Sequence, residues 1–299
     1  MDRFTLPLRE ALTRRLGQRI RPGFVAALGC LLALTQPALA SPELERGELY
    51  LRFKSAFEAG DWASAEERAA ALVRLIESSG KDSARELVNP LTNLGTVAFR
   101  RSNFDVAIEH YNRAIQLIDG ERAGADSLLI RPLHGLGESL LAKGMAGEAV
   151  IHLKRAVDLS RNVDGLFNPA QIDIVDALIE AYVATGQLTD AEREHQYAFR
   201  IAETTFGKND LRLLEPLDRY ARWFESIGRY TTARGLHARA LQLAERQSAD
   251  KPILGVAALR GLSRTWLLEG IYGPEVEPET PVREASEASG PFLSAAGAG

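Results

Sequence analysis

The chain holds five histidines, and histidine placed beside carboxylates or cysteine is the residue set from which metal centres and general bases are built. Their spacing argues against either use. His110 and His152 are 42 residues apart, and so are His195 and His237. Four of the five therefore recur at equivalent places, whereas a catalytic or ligating histidine is singular and converges with Asp, Glu or Cys. No HExxH, Gly-rich phosphate loop or GxSxG stretch occurs in the sequence, and no enzymatic activity, cofactor or metal is expected. What the histidines report is a period, and the period belongs to the elements that carry them.

The same ruler of 42 residues finds small residues at Ala65, Ala107, Ala149, Ala191 and Ala233. It finds Gly60, Ser102, Gly144, Gly186, Gly228 and Gly270, and then Leu72, Ala114, Ala156, Ala198 and Ala240. Three concordant columns describe a unit of helix, Gly-bearing turn and helix. The small residues let the two helices close on each other, and Trp62, Phe104, Leu188 and Tyr230 are expected to fill the space beside the turn. Each unit then leaves one apolar face for the next to cover, giving a one-dimensional stack.

These units resemble tetratricopeptide repeats. The resemblance rests on Leu94-Gly95 and Leu136-Gly137 on first helices, on the alanine columns and on Tyr111, and it covers about residues 46 to 272. The usual period of that family is about 34 residues, and the longer period here is similar to that of kinesin light chains. The fold expected is all-α: a right-handed superhelix of about five repeats, starting near 46, 88, 130, 172 and 214, with a half repeat near 252 whose single helix caps the array. Pro90, Pro132 and Pro216 fall at one place in three units. Either the first helices begin near these prolines, or they start at Ser83, Asp126 and Asp210 and bend there. The capping side chains favour the second alternative. Residues 274–299 are rich in Pro, Glu, Ser, Ala and Gly and are expected to be disordered.

The resemblance also implies a binding face. First helices of such arrays line a concave groove, and projecting their inward positions gives Lys54 in unit one and Asn89, Asn93, Thr96 and Arg100 in unit two. Unit three adds Arg131, His134 and Glu138, unit four Asp176 and Glu180, and unit five Arg219 and Arg222. Tyr50, Phe57, Asp173, Asp218 and Glu225 accompany them. Asn93 matches the family position whose amide clamps a bound peptide backbone, while Gly135, Ala177 and Arg219 stand there in later units, a departure from a regular clamp. The implied partner is a protein or peptide segment oriented by a groove that is basic and amide-bearing at unit two, acidic at unit four and mixed at unit five. A solvated helix face would carry similar charges. His134 reads as a solvated histidine.

The first 40 residues differ from the rest. Six arginines precede an apolar run, Phe24 to Leu34, and then Ala38-Leu39-Ala40 stands before Ser41, which is the pattern of a secretory signal peptide cut after Ala40. Eleven apolar residues fall short of the roughly 20 that span a bilayer, so no integral membrane span is expected after cleavage. Weaker patterns point to a lipoprotein through Cys30, a twin-arginine signal at Thr13-Arg14-Arg15, or an uncleaved anchor. Cleavage would leave 30 basic against 38 acidic residues, a net of −8, and would remove Cys30, the one cysteine. An acidic chain excludes nucleic acid as the expected partner, and a chain without cysteine must be stable by packing alone. The expectation is a non-enzymatic, exported, periplasmic adaptor or scaffold that binds a peptide segment or partner protein in its groove. The alternative is a self-assembling or lipid-tethered component of a cell-envelope complex, and the oligomeric state stays open.

Overall fold

The computed structural model describes residues 42–80, 84–119, 126–247 and 252–274. The proposed signal sequence, Ser83 and the expected disordered tail beyond Pro274 lie outside them. The described residues divide into two units, one up to Gly80 and one from Lys81 onward. The first holds α1 (Pro42–Glu58) and α2 (Trp62–Glu77). The second holds α3 (Ala84–Arg100), α4 (Phe104–Asp119), α5 (Ile130–Ala142), α6 (Ala146–Asp164), α7 (Ile172–Ala184), α8 (Leu188–Phe206), α9 (Leu214–Ser226), α10 (Tyr230–Gln247) and α11 (Val256–Tyr272). Every described element is helical, and within the second unit each helix packs on the next in chain order.

One turn is built five times. Gly60, Ser102, Gly144, Gly186 and Gly228 all adopt positive φ, between 59° and 77°, which suits glycine and is tolerated at Ser102. The following residue then bonds back to the carbonyl five positions earlier: Asp61 to Ala56, Asn103 to Ala98, Met145 to Leu140, Gln187 to Tyr182 and Arg229 to Phe224, all at 2.8–2.9 Å. This is the Schellman closure of one helix. The second helix starts at once, and its fully buried Ala65, Ala107, Ala149, Ala191 and Ala233 lie at the closest approach. Gly270 departs from the expectation of a turn. It lies inside α11, which runs on to Tyr272 and closes at Gly273 with φ +91°. Leu188 also departs from it, being 45% exposed beside its turn rather than filling it, while Tyr230 at the same place is buried.

The starts of the first helices resolve the proline question. Asp126, Asn168 and Asp210, one ruler length apart, each accept the backbone N–H two residues ahead at 2.9 Å. Each opens a short 3-10 turn, Ser127–Leu129, Pro169–Gln171 and Leu211–Leu213, before the α-helix begins. Pro132 and Pro216 thus fall in the first α-turn, where a missing N–H leaves no bond unmade. A change from 3-10 to α geometry replaces the expected bend. Proline is not its cause, since unit four has the same start with Ile174 in that place. Only Pro90 sits well inside its helix.

A second column decides how units stack. Tyr111, Leu153, His195 and His237 are 42 residues apart on successive second helices. A Cβ on Gly95 of the same unit would lie 2.7 Å from the Tyr111 ring, and one on Gly135 of the next unit 2.3 Å from it. A Cβ on Gly137 would meet Leu153 at 2.3 Å, and one on Gly261 would meet His237 at 2.3 Å. The second-helix side chain is therefore a wedge between its own first helix and the next, and glycine makes the room. Gly135→Ala should destabilise by about 1–3 kcal/mol through overpacking. Leu153 coexists with Ala177 at the corresponding positions, so adding Tyr111→Leu to Gly135→Ala should cost less than the sum of the two single changes. A double-mutant cycle by urea denaturation checks this, and additive costs would show that Tyr111 and Gly135 do not share the space.

Candidate functional site

The expected groove residues sort into an exposed set and an engaged set. Lys54, in the first unit, is exposed and lies 3.8 Å from Glu58 on its own helix. In the second unit Asn89, Arg100, Arg131, Glu180 and Arg222 are exposed, and Arg222 pairs with Asp218 at 2.8 Å. Asn93 is buried at 6% exposure, and its amide oxygen accepts from Arg131 at 3.4 Å. Its side chain is thus tied to the next first helix rather than standing free to clamp a backbone. The Thr96 hydroxyl donates to the Thr92 carbonyl at 2.9 Å and accepts from Tyr111 at 3.2 Å. Gly135, at the Asn93 position one unit on, is where the Tyr111 ring sits, so packing removed that amide from unit three.

Glu138, Asp173, Asp176 and Glu180 come together. With Phe99, Leu141 and Ala177 they line a recess of about 480 Å³ made by first helices alone, α3, α5 and α7. Burial raises the Asp176 carboxyl above its ordinary range, and Arg219, paired with it across α7 and α9, acts the other way. Arg219 also reaches Glu215 at 2.5 Å. Glu138 lies 3.8 Å from His134, whose Nε2 is buried without a hydrogen-bond partner. Asp173 and Glu180 have no ion pair among the described residues, so the recess keeps unanswered negative charge over an apolar floor.

Two features escaped the sequence. Glu225, expected in the groove, is buried, because Arg264 donates to it at 2.7 and 3.1 Å and His237 lies 2.9 Å from it. This cluster ties α9, α10 and α11 together, and it makes the fully buried His237 unlike the histidines upstream. The one signal was Gly261 in the place of Gly135, opposite a ring on the ruler. The other is a cavity of about 500 Å³ between α8 and α9, lined by Phe199, Phe206, Leu214 and Tyr220 with His195 and Arg219 at its edge. His195 packs 4.7 Å from the Trp223 ring. Burial, and then the Arg219 charge, push its pKa down to about 4.

No group of three or more His, Cys, Asp or Glu among the described residues could hold a metal ion. No described helix is long and apolar enough to cross a membrane.

The His195 shift carries a sign. The folded chain keeps this imidazole neutral down to about pH 4, whereas the unfolded chain takes up the proton near pH 6.5. Its contribution to stability is constant above about pH 6.5 and is lost progressively toward pH 4. His195→Gln should therefore show a shallower fall in Tm than the parent chain across that window, with parallel curves above it. Melting curves at a series of pH values check it, and parallel curves throughout would place His195 in solvent.

Residues 86–162, spanning α3 to α6, match the family model described as Tetratricopeptide repeat. Comparison with curated protein sequences gives no match. A Podosopora anserina structure described as kinesin light chain nearly identical TPR-like repeats superposes with a TM-score of 0.61 at 17% identity, covering 70% of this chain and 100% of that one. BtubC (BKLC) from P. vanneervenii superposes at 0.50 with 15% identity, over 83% and 99% of the two chains. A Rap protein complexed with Competence and Sporulation Factor gives 0.50 at 15% identity, over 76% and 64%. At such identities the likeness is one of fold, and it agrees with the turns and wedges above: the described helices form an all-α array of tetratricopeptide-type helix pairs.

Proposed function

We propose that this chain is a non-enzymatic adaptor that holds an extended segment of a partner protein along its first-helix face, with a Lys or Arg side chain of that segment entering the acidic recess. The recess carries this reading. Phe99 and Leu141 offer an apolar floor for the methylene stem, and Glu138, Asp173 and Glu180 surround the place its charge would take. A long basic side chain is the group that satisfies both at once. The array fold supports the reading, and so does the Rap protein of similar fold that was solved with Competence and Sporulation Factor.

Selection of a displayed random-peptide library against the chain tests it. Peptides bearing Lys or Arg beside apolar residues should be enriched, and Glu138→Gln with Glu180→Gln should weaken them by about tenfold, as loss of charge-assisted contacts implies. Raising salt from about 0.05 to 0.5 M should weaken them as well. Enrichment of acidic peptides, or binding indifferent to both carboxylates, would reject the recess as the site.

We infer also that the adaptor works in the periplasm after export and cleavage behind Ala40. The support is the order of arginines, apolar run and Ala-Leu-Ala in residues 1–40, which lie outside the described residues. The intact mass of the protein from an envelope fraction should correspond to a chain beginning at Ser41. A lipid-modified chain beginning at Cys30 would make it a tethered subunit instead, and an unprocessed Met1 would rule out cleavage.

A further inference from the structure

The last described helix keeps the residues of a packing face, but no described residue covers that face. Leu259 continues the column of Leu91, Leu133, Val175 and Leu217, each of them fully buried, yet it is 51% exposed. Trp266 continues Ala98, Leu140, Tyr182 and Phe224, all buried to 8% or less, yet it is 62% exposed. Upstream, this side of a first helix faces the second helix of its own unit, as Gly137 faces Leu153. Carried past α11, the ruler brings the alanine columns to Glu275 and Val282, with Pro278 and Pro281 between them. At the places its register assigns to a further second helix, the sequence after α11 thus carries two prolines and lacks the small residues of the alanine columns.

We propose that this face is covered by α11 of a second copy, in a two-fold, antiparallel pair. Trp266, Leu259, Gly270, Ser263 and Val256 form one stripe along the exposed side of α11, spaced at three, four and seven residues, and none of them is charged. The stripe is self-complementary. Leu259 and Trp266 lie seven residues apart with Ser263 midway, so a dyad close to Ser263 sets Leu259 of each copy on Trp266 of the other. Ser263 is small enough for close approach at the crossing, and its hydroxyl is already spent on the Leu259 carbonyl at 3.0 Å. The indole is held in advance, one face lying 4.0 Å from the Arg234 guanidinium, which Glu269 fixes at 2.6 Å. The contact continues the apolar seam that joins every helix pair of the second unit. A terminal unit that served only to cap would present a polar outer face; this one presents tryptophan and leucine. A two-fold contact closes after two copies, whereas stacking of unlike ends would continue without limit.

Sedimentation of the full chain across roughly 1–200 µM should show a monomer–dimer equilibrium, and salt should not weaken it, because the stripe is uncharged and two acidic chains repel less when screened. Leu259→Glu, at an exposed position, should raise the dimer dissociation constant at least about tenfold with an unchanged circular-dichroism spectrum. If that variant proves unfolded, Ser263→Cys in a Cys30→Ser chain gives an independent reading. Two cysteines at a dyad fall within disulfide reach, so mild oxidation should give a covalent dimer at the sedimentation mass. A monomer at every concentration would overturn the proposal. So would mass that grows without limit, a dimer indifferent to Leu259→Glu, or a Ser263→Cys chain that does not cross-link.

Discussion

The stack of the second unit depends on one repeated steric event: side chains of its second helices, Tyr111, Leu153 and His237, pressed into the first helices beside them. Their sizes are set against the residues that receive them. Tyr111 requires glycine on both sides, at Gly95 and Gly135, and Leu153 requires Gly137. His237 takes Gly261 and turns its Nε2 to Glu225. Unit four does not keep the pattern. Its wedge is His195, but the ruler places Ile179 and Arg219 where glycine or alanine stands beside Tyr111, Leu153 and His237. Three bulky residues at one junction prevent close approach, and there the interior opens into the cavity of about 500 Å³. Burial among apolar groups, and then the Arg219 charge, push the imidazole's pKa down to about 4, so it is neutral at neutral pH.

Polar contacts follow the packing. On the outer side, neighbouring second helices meet at one ruler position three times: Arg155 grips Asp119 at 2.9 and 2.5 Å, Arg161 stacks over Tyr197 at 4.0 Å, and Arg239 reaches Glu203 at 2.6 Å. The exposed pair among them, Arg155 with Asp119, is worth about 0–1 kcal/mol. Burying one leucine, as Leu91, Leu133 and Leu217 are buried in turn, is worth about 1.5–3 kcal/mol. Magnitude therefore assigns stability to the apolar columns, and gives the ion pairs the lesser part of fixing how one unit is set against the next.

This division explains how much could be read from the sequence. The alanine columns, turn positions and order of helices are written as identity at a fixed period, because close approach admits only small residues. The caps are half legible: Asp126 and Asp210 each stand six residues before a proline of the column, while Asn168, with the same hydrogen bond, has Ile174 in that place and its own proline, Pro169, directly after it. Groove residues were the least legible. Projection along a helix tells which way a side chain leaves the backbone, but not what it meets 38 or 39 residues away. Asn93 meets Arg131 and Glu225 meets Arg264, and both left the free surface on that account. Glu138, Asp173, Asp176 and Glu180 come together because they lie on adjacent first helices, outside the columns that receive a wedge.

A one-dimensional stack therefore carries two kinds of surface with different freedom. Exposed positions along the first-helix face that lie outside the wedge and turn columns and pair with no neighbour, as Asp173 and Glu180 do, can change type without disturbing an interface, so the character of the recess is set largely by carboxylates that packing did not require. Positions on the end face are packing columns by descent from the period, and Leu259 and Trp266 hold residues their register would bury. The side of the array draws its character from charge, which acts through water and weakens with salt. The end draws its character from apolar area, which gains nothing until a second surface removes it from water. The two can thus be occupied at once and altered one at a time, because the fold couples neighbouring units through the wedges and leaves the side and the end chemically independent.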